Sequence, residues 1–215
     1  RGTPTLQPLT TDASLEALTV GAGNLSSSKD KGAMKVNEVK RIAVIGAGLI
    51  GHGVAQEFAL AGYDVNLNSR SEESLRRALE RIQGNLQMLM KMGVVTHERA
   101  EAARSMIHTS VLLKDAAEDA QVVIENVYED LALKRQIFQE LDRICPRSTI
   151  LVSGTSTLGL SDLASATRRP DKVILANYAN PPFLVPVVEM MRNETTSDET
   201  VTLFYDLLTR IGKLP

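Results

Sequence analysis

A glycine-rich turn between an apolar strand and an apolar helix constrains this chain more than any other feature. Gly46-Ala47-Gly48-Leu49-Ile50-Gly51 follows Arg41–Ile45 (RIAVI), a β-branched run suited to a buried parallel strand. It precedes a helix expected from about Leu49 to Ala61, with Gly62 as its C-terminal stop. A second strand, Asp64–Asn68 (DVNLN), ends about twenty residues further on, the spacing of a dinucleotide-binding βαβ unit. Glycines at this spacing arise readily by chance, so specificity comes from the strand–turn–helix setting. In that setting Gly46 permits the tight turn, Gly48 lets the backbone approach a pyrophosphate, and Gly51 brings helix and strand together. The N–H groups near Leu49 and Ile50, with the helix dipole, would hold the phosphate charge.

The alternation continues to the end of the chain. Ser71 is placed to cap a helix whose first turn carries Glu72 and Glu73. The apolar rhythm of Leu75, Leu79, Ile82, Leu86, Leu89 and Met90 carries that helix to near Gly93, and Thr96–Ser105 reads as its hairpin partner. Strands are expected near Ile107–Thr109, Val122–Glu125, Ile150–Val152, Val173–Leu175 and Val185–Met191, with helices at Ala132–Ile144 and Asp198–Ile211. This pattern predicts an α/β fold: a Rossmann-type doubly wound sheet with a helical-hairpin insertion. Arg1–Ala33 is different, rich in Thr, Ser, Gly and Leu without sustained period, and reads as an unstructured or foreign N-terminal segment. Met34, just before the first strand, reads as a true start or a fusion junction, which makes 34–215 the dinucleotide-binding domain.

Composition removes several function classes. Hydrophobic residues make up 43% and charged residues 23%, ordinary for a globular protein. A net charge of -2, 4% aromatics and no Trp give no reason to expect nucleic acid or an anionic membrane as partner. No apolar run is long enough to span a bilayer. Cys145 is the single cysteine, which excludes an internal disulfide framework and offers no metal cluster; it reads as a small hydrophobe beside a strand. These features fit a cytoplasmic protein without a metal.

The end of the second strand usually carries an acidic residue that grips the adenine ribose hydroxyls. Here that place falls on Ser69, followed by Arg70 and Ser71. A hydroxyl beside a guanidinium suits a ribose 2′-phosphate, and so NADP(H) rather than NAD(H). The other reading has Ser69 bonding the ribose weakly while Arg70 packs on adenine or faces solvent. Both stay open, with the residues tilting towards NADP(H).

With these motifs in place, the stretch from about Val39 to Pro215 resembles the 3-hydroxyacyl-CoA dehydrogenase family, whose default cofactor is NAD(H) and which acts in fatty-acid metabolism. The helical hairpin at Ser71–Ser105 is unusual in other dinucleotide folds. Val123-Ile124-Glu125-Asn126-Val127-Tyr128-Glu129-Asp130-Leu131, followed by Lys134, is similar to the family's post-strand loop, and by that resemblance Glu129 and Lys134 lie near the nicotinamide-side ribose. Ser153-Gly154-Thr155-Ser156-Thr157 resembles the family's serine-rich stretch, in which Ser156 takes the place of the serine that bonds the reacting oxygen. Asn177-Tyr178-Ala179-Asn180-Pro181-Pro182 and the following Val185-Pro186-Val187-Val188-Glu189 resemble the segment carrying the catalytic histidine, an Asn-Pro pair and the glutamate that orients the histidine. The Asn-Pro-Pro form looks most similar to the branch that includes L-gulonate 3-dehydrogenase and carnitine dehydrogenase.

Two departures matter. Asn177 stands where the family has its catalytic histidine, and an amide hydrogen-bonds but does not titrate near neutral pH. None of His52, His97 and His108 lies in a segment that obviously substitutes. The sequence also stops at Gly212-Lys213-Leu214-Pro215, where the family's helical C-terminal domain begins, a domain that closes the substrate cleft and usually makes the homodimer. The resemblance therefore implies an oxidoreductase domain transferring hydride between a nicotinamide dinucleotide and a 3-hydroxyacyl-CoA or related 3-hydroxy acid. Ser156 and Asn180 would hold the oxygen, while Asn177 and Glu189 would occupy the former base dyad. A dinucleotide-binding homologue that has lost the chemistry is the rival reading, and a lysine-based small hydroxy-acid dehydrogenase a weaker one.

Overall fold

The computed structural model describes residues 34–215, so the expectation for Arg1–Ala33 lies outside the described residues. Seven strands form one sheet: β1 (Arg41–Ile45), β2 (Asp64–Asn68), β3 (Ile107–Ser110), β4 (Val122–Glu125), β5 (Ile150–Ser153), β6 (Val173–Tyr178) and β7 (Val188–Met191). Their order is β3-β2-β1-β4-β5-β6-β7, and every neighbouring pair is parallel except β6 with β7. The order reverses between β1 and β4, the crevice where open α/β sheets bind ligands. The helices are α1 (Gly51–Leu60), α2 (Glu72–Lys91), α3 (His97–Ser105), α4 (Leu113–Ala117), α5 (Leu131–Ile144), α6 (Leu160–Ala164) and α7 (Asp198–Arg210).

Strand alternation divides the core into two. Ile42 and Val44 of β1 pack with Phe58 of α1, Leu75 and Ile82 of α2 and Phe204 of α7. Ala43 and Ile45 point the other way, to Ala117 of α4, Phe138 and Leu141 of α5 and Leu163 of α6. Central strands buried on both faces need the near-continuous apolar runs that the sequence supplies.

The hairpin forms as expected. Ser71 accepts a hydrogen bond from the Ser74 N–H at 3.3 Å and Thr96 does the same for Arg99 at 3.3 Å, capping α2 and α3. Gly93 sits at φ +71°, a left-handed turn that a side chain would strain. Leu75, Ala78, Ile82, Leu86 and Leu89 are buried, and each large side chain among them contributes roughly 1.5–3 kcal/mol. Leu79 does not join them: it is 40% exposed, because helical rotation carries it past the buried stripe. Two boundaries also shift. The helix expected from Leu49 begins at Gly51, leaving Leu49 and Ile50 in the turn. The strand expected over Val185–Met191 begins at Val188, because Pro186 lacks the N–H a ladder needs.

Candidate functional site

β1 delivers the chain into the glycine turn at the crevice. A Cβ on Gly46, which sits at φ +104°, would lie 2.5 Å from the Asn126 carbonyl, and one on Gly51 would lie 1.8 Å from the Gly46 carbonyl. Both positions therefore exclude a side chain. At Gly48 a Cβ would meet no protein atom within 4 Å, so the backbone there is bare towards the cleft. The N–H groups of Leu49 and Ile50 have no acceptor among the described residues. His52 braces the turn from below: it is buried, and its Nδ1 donates to the Gly48 carbonyl at 2.7 Å. Burial pushes its pKa down, outweighing the carbonyl's opposite pull, and the Arg81 charge acts in the same direction as burial, which keeps the ring neutral.

A cleft of about 650 Å³ opens over this turn. Gly46, Gly48, Ser69 and Arg70 line it, joined by Asn126 and Tyr128 after β4, Ser74, Arg77 and Arg81 on α2, and Gln136 and Glu140 on α5. These residues fit a dinucleotide. The bare backbone at Gly48 and the free N–H groups beside it suit a pyrophosphate. Asn126 Nδ2 is buried without a partner, a donor available to a ligand in the cleft.

Glu129 and Lys134 do not line the cleft but belong to a brace in which Lys134 and Glu125 are buried and Glu129 is exposed. The Lys134 ammonium, 1% exposed, lies 2.6 Å from Glu125 Oε1 and 3.3 Å from Glu129 Oε2. Glu125 also accepts from the Val127 N–H at 2.7 Å and from the Ser153 hydroxyl at 2.8 Å. Glu129 accepts from the Thr155 hydroxyl, and from that of Thr157 at 2.8 Å. Burial alone would raise the Glu129 pKa, but the two hydroxyls and the Lys134 charge outweigh it and hold the carboxyl below its ordinary range. The brace thus ties the loop after β4 to the loop after β5. Gly154 sits between them, where a Cβ would fall 2.3 Å from Asn126 Oδ1.

Sequence reasoning missed Glu125, Asn126, Arg77 and Arg81. Glu125 had a signal, a carboxylate closing an otherwise apolar buried strand with a lysine in the next helix's first turn. Arg77 and Arg81 had one too, lying at i+3 and i+7 from Ser74 on one helix face.

The remaining candidates lie beyond the cleft lining, at the ends of β5, β6 and β7. Asn177 and Glu189 are cross-strand partners, and Asn177 Nδ2 donates to Glu189 Oε2 at 3.0 Å. Its second N–H and its amide oxygen remain, a donor and an acceptor neither of which titrates at neutral pH. Ser156 is exposed in the loop after β5, and Asn180 is exposed after β6; no hydrogen bond joins either to the Asn177–Glu189 pair. Burial pushes the Cys145 thiol up to about 12, consistent with a packed, unreactive side chain. Among the described residues no group of His, Cys, Asp and Glu could hold a metal ion, and no helix is long and apolar enough to cross a membrane.

The NAD binding domain model of 3-hydroxyacyl-CoA dehydrogenase matches residues 41–215. A probable 3-hydroxybutyryl-CoA dehydrogenase of Bacillus subtilis is 37% identical over 176 residues, covering 82% of this chain and 61% of the relative. The Arabidopsis thaliana peroxisomal fatty acid beta-oxidation multifunctional protein MFP2 is 32% identical over 195 residues, covering 91% of this chain but 27% of the relative. The crystal structure of 3-hydroxybutyryl-CoA dehydrogenase from Escherichia coli K12 superposes with a TM-score of 0.80 at 30% identity, covering 82% of this chain and 37% of that one. The chain thus spans only part of the length of the relatives it matches, 27% of one and 61% of another. It belongs to the 3-hydroxyacyl-CoA dehydrogenase family, matched through that family's NAD-binding domain.

Proposed function

We propose that residues 34–215 are the dinucleotide-binding part of an oxidoreductase that moves a hydride between a nicotinamide dinucleotide and a 3-hydroxyacyl-CoA or related 3-hydroxy acid. The glycine turn carries the proposal: Gly48 is bare towards the cleft, and the Leu49 and Ile50 N–H groups are free to bind phosphate oxygens. When bound, the dinucleotide supplies or takes the hydride. Gly46 and Gly51 hold the turn closed, Glu129 and Lys134 fix the loops flanking the nicotinamide side, and Ser69 and Arg70 hold the adenosine ribose. Ser156 and Asn180 bind the substrate oxygen. NADP(H) is the preferred cofactor, since Ser69 removes the carboxylate that would repel a 2′-phosphate and Arg70 pairs with it. The protein works in the cytoplasm on a small-molecule substrate and forms a homodimer through the family's helical C-terminal domain.

One observation favours a second reading, a dinucleotide-binding homologue without turnover. Asn177 donates to Glu189 and its amide does not titrate near neutral pH, so it cannot take the place of an imidazole that exchanges a proton with the substrate oxygen. Fluorescence titration of the chain with NADH and NADPH tests what both readings share. Saturable binding of both, with NADPH at least as tight, is expected; no saturable binding of either would refute the dinucleotide site.

A further inference from the structure

We propose that α2 supplies the second half of a phosphate clamp on the adenosine ribose, with Arg77 and Arg81 facing Arg70 across the cleft and selecting a 2′-phosphorylated dinucleotide. The inference rests on the reading of the cleft as a dinucleotide site and extends it to residues outside the glycine turn and the end of β2.

The arrangement of charge on α2 carries the argument. Ser74, Arg77 and Arg81 recur at the spacing of one helix face, and all three line the cleft. Arg76, one residue off that face, does not line it; Glu73 and Glu80 bracket its guanidinium, and Glu73 approaches to 2.8 Å. The cleft-facing arginines are treated differently. Arg81 and Arg70 have no carboxylate within ion-pair distance among the described residues. Arg77 uses its Nε on Glu73 at 2.7 Å, which leaves both terminal nitrogens for another acceptor. Glu140, on α5, is the only carboxylate among the residues lining the cleft, against three guanidinium groups. Helix surfaces usually offset such charges with i,i+4 carboxylates, as this helix does around Arg76. Leaving two guanidinium groups without a carboxylate, and a third with both terminal nitrogens free, beside a ligand cleft is the pattern of an anion site, and the arginine fork matches a phosphate's oxygens in geometry.

The position of the cluster identifies the phosphate. The pyrophosphate has its own donors at Leu49 and Ile50, whereas Arg70 stands two residues past the end of β2, the end that would hold the adenosine ribose. Ser69 and Ser74 add hydroxyl donors at the same end of the cleft. A phosphate on the ribose 2′-oxygen is the anion that reaches that end while the dinucleotide stays seated on the glycine turn.

Calorimetric titration of the unaltered chain and of Arg81→Ala and Arg77→Ala with NADPH, NADH, adenosine 2′,5′-bisphosphate and adenosine 3′,5′-bisphosphate tests the clamp without using turnover. Both side chains are exposed, so the fold should survive, and thermal melting checks that it does. Hydrogen bonds to charged groups are worth enough that each substitution should weaken NADPH and the 2′,5′-bisphosphate by roughly 10-fold or more, with NADH changed less than about twofold. Arg81→Lys should recover part of the loss. Equal weakening of NADPH and NADH would overturn the proposal by assigning the arginines to the shared pyrophosphate. A loss confined to the 3′,5′-bisphosphate would overturn it in favour of a coenzyme A phosphate. If the unaltered chain binds neither dinucleotide, the reading of the cleft itself fails and the clamp with it.

Discussion

Asn177 and Ser69 are single residues at which this chain departs from the pattern around it. Asn177 on β6 is in register with Glu189 on β7, and its amide reaches that carboxylate at 3.0 Å. What it lacks is a proton that leaves near neutral pH. Asn177→His, assayed in a form that includes the family's helical C-terminal domain, should raise turnover of a 3-hydroxyacyl-CoA by roughly 10² to 10⁴, the usual worth of general acid–base catalysis. Dinucleotide affinity should stay unchanged, because Asn177 lies outside the cleft lining. An unaltered protein with ordinary dehydrogenase rates, unimproved by the histidine, would show that another base operates. At Ser69 the expected effect is on cofactor choice. Ser69→Asp places a carboxylate against a 2′-phosphate and gives the ribose hydroxyls an acceptor, so the NADPH-to-NADH affinity ratio should fall by about tenfold or more. An unchanged ratio would mean that residue 69 does not face the ribose. The sequence singles out both positions because each stands close to the end of a strand that its apolar run marks out.

At the scale of elements the sequence was a good guide wherever period and punctuation agreed. The β1–turn–α1 unit, the capped hairpin and the central strands follow from apolar runs bounded by Gly, Ser and Thr. Interactions between elements were less visible. Glu125 ends β4 and Lys134 opens α5, yet nothing in their spacing alone says that the ion pair is buried at 1% and 0% exposure. That brace makes a sharp prediction. Lys134→Met leaves the Glu125 carboxylate buried without its cation, which should cost about 3–5 kcal/mol in denaturant unfolding. Adding Glu125→Leu removes the stranded charge, so the double variant should recover a large part of the loss. A single variant as stable as the unaltered chain would mean that water or a rearranged side chain compensates Glu125. Loops after β4 and β5 that lose their tie should also bind NADPH less tightly in the single variant.

Among the described residues, the last residues of the chain are tied back to α1 and to the loop after β6, contacts that lay beyond any local reading. Lys213, three residues from the last helix, is 4% exposed and lies 2.6 Å from Glu57 on α1; it also donates to the Pro182 carbonyl at 2.6 Å and to that of Val185 at 3.0 Å. One ammonium thus pins α1, the loop after β6 and the chain's final residues together. Tyr178 Oη, Glu57 Oε2 and the Gln56 amide are buried in this part of the fold without partners, so the charge on Glu57 is poorly solvated. Burial pushes its pKa up to about 7, more than Lys213 pulls it down. In the unfolded chain the same carboxyl titrates near its ordinary value of about 4.3. Between those two pH values the folded protein holds a proton that the unfolded chain has released, so stability falls as pH rises through that window and is level above it. The loss should be on the order of 3–4 kcal/mol at most, since one pH unit of difference is worth about 1.4 kcal/mol. Glu129 and Asp142, whose carboxyls are held below their ordinary range, act in the opposite sense only as the pH falls below the ordinary carboxylate range, whereas His52, whose pKa burial lowers, adds stability as the pH rises towards the ordinary imidazole value of about 6.5. Urea unfolding at pH 5, 6, 7 and 8 should therefore show the stability of the unaltered chain declining relative to that of Glu57→Gln as the pH rises. Glu57→Gln, which cannot titrate at that position, should lose this decline and keep only the rise contributed by His52 up to the ordinary imidazole range. Parallel pH profiles for the two proteins would show that Glu57 stays ionised throughout, with Lys213 fully offsetting its burial.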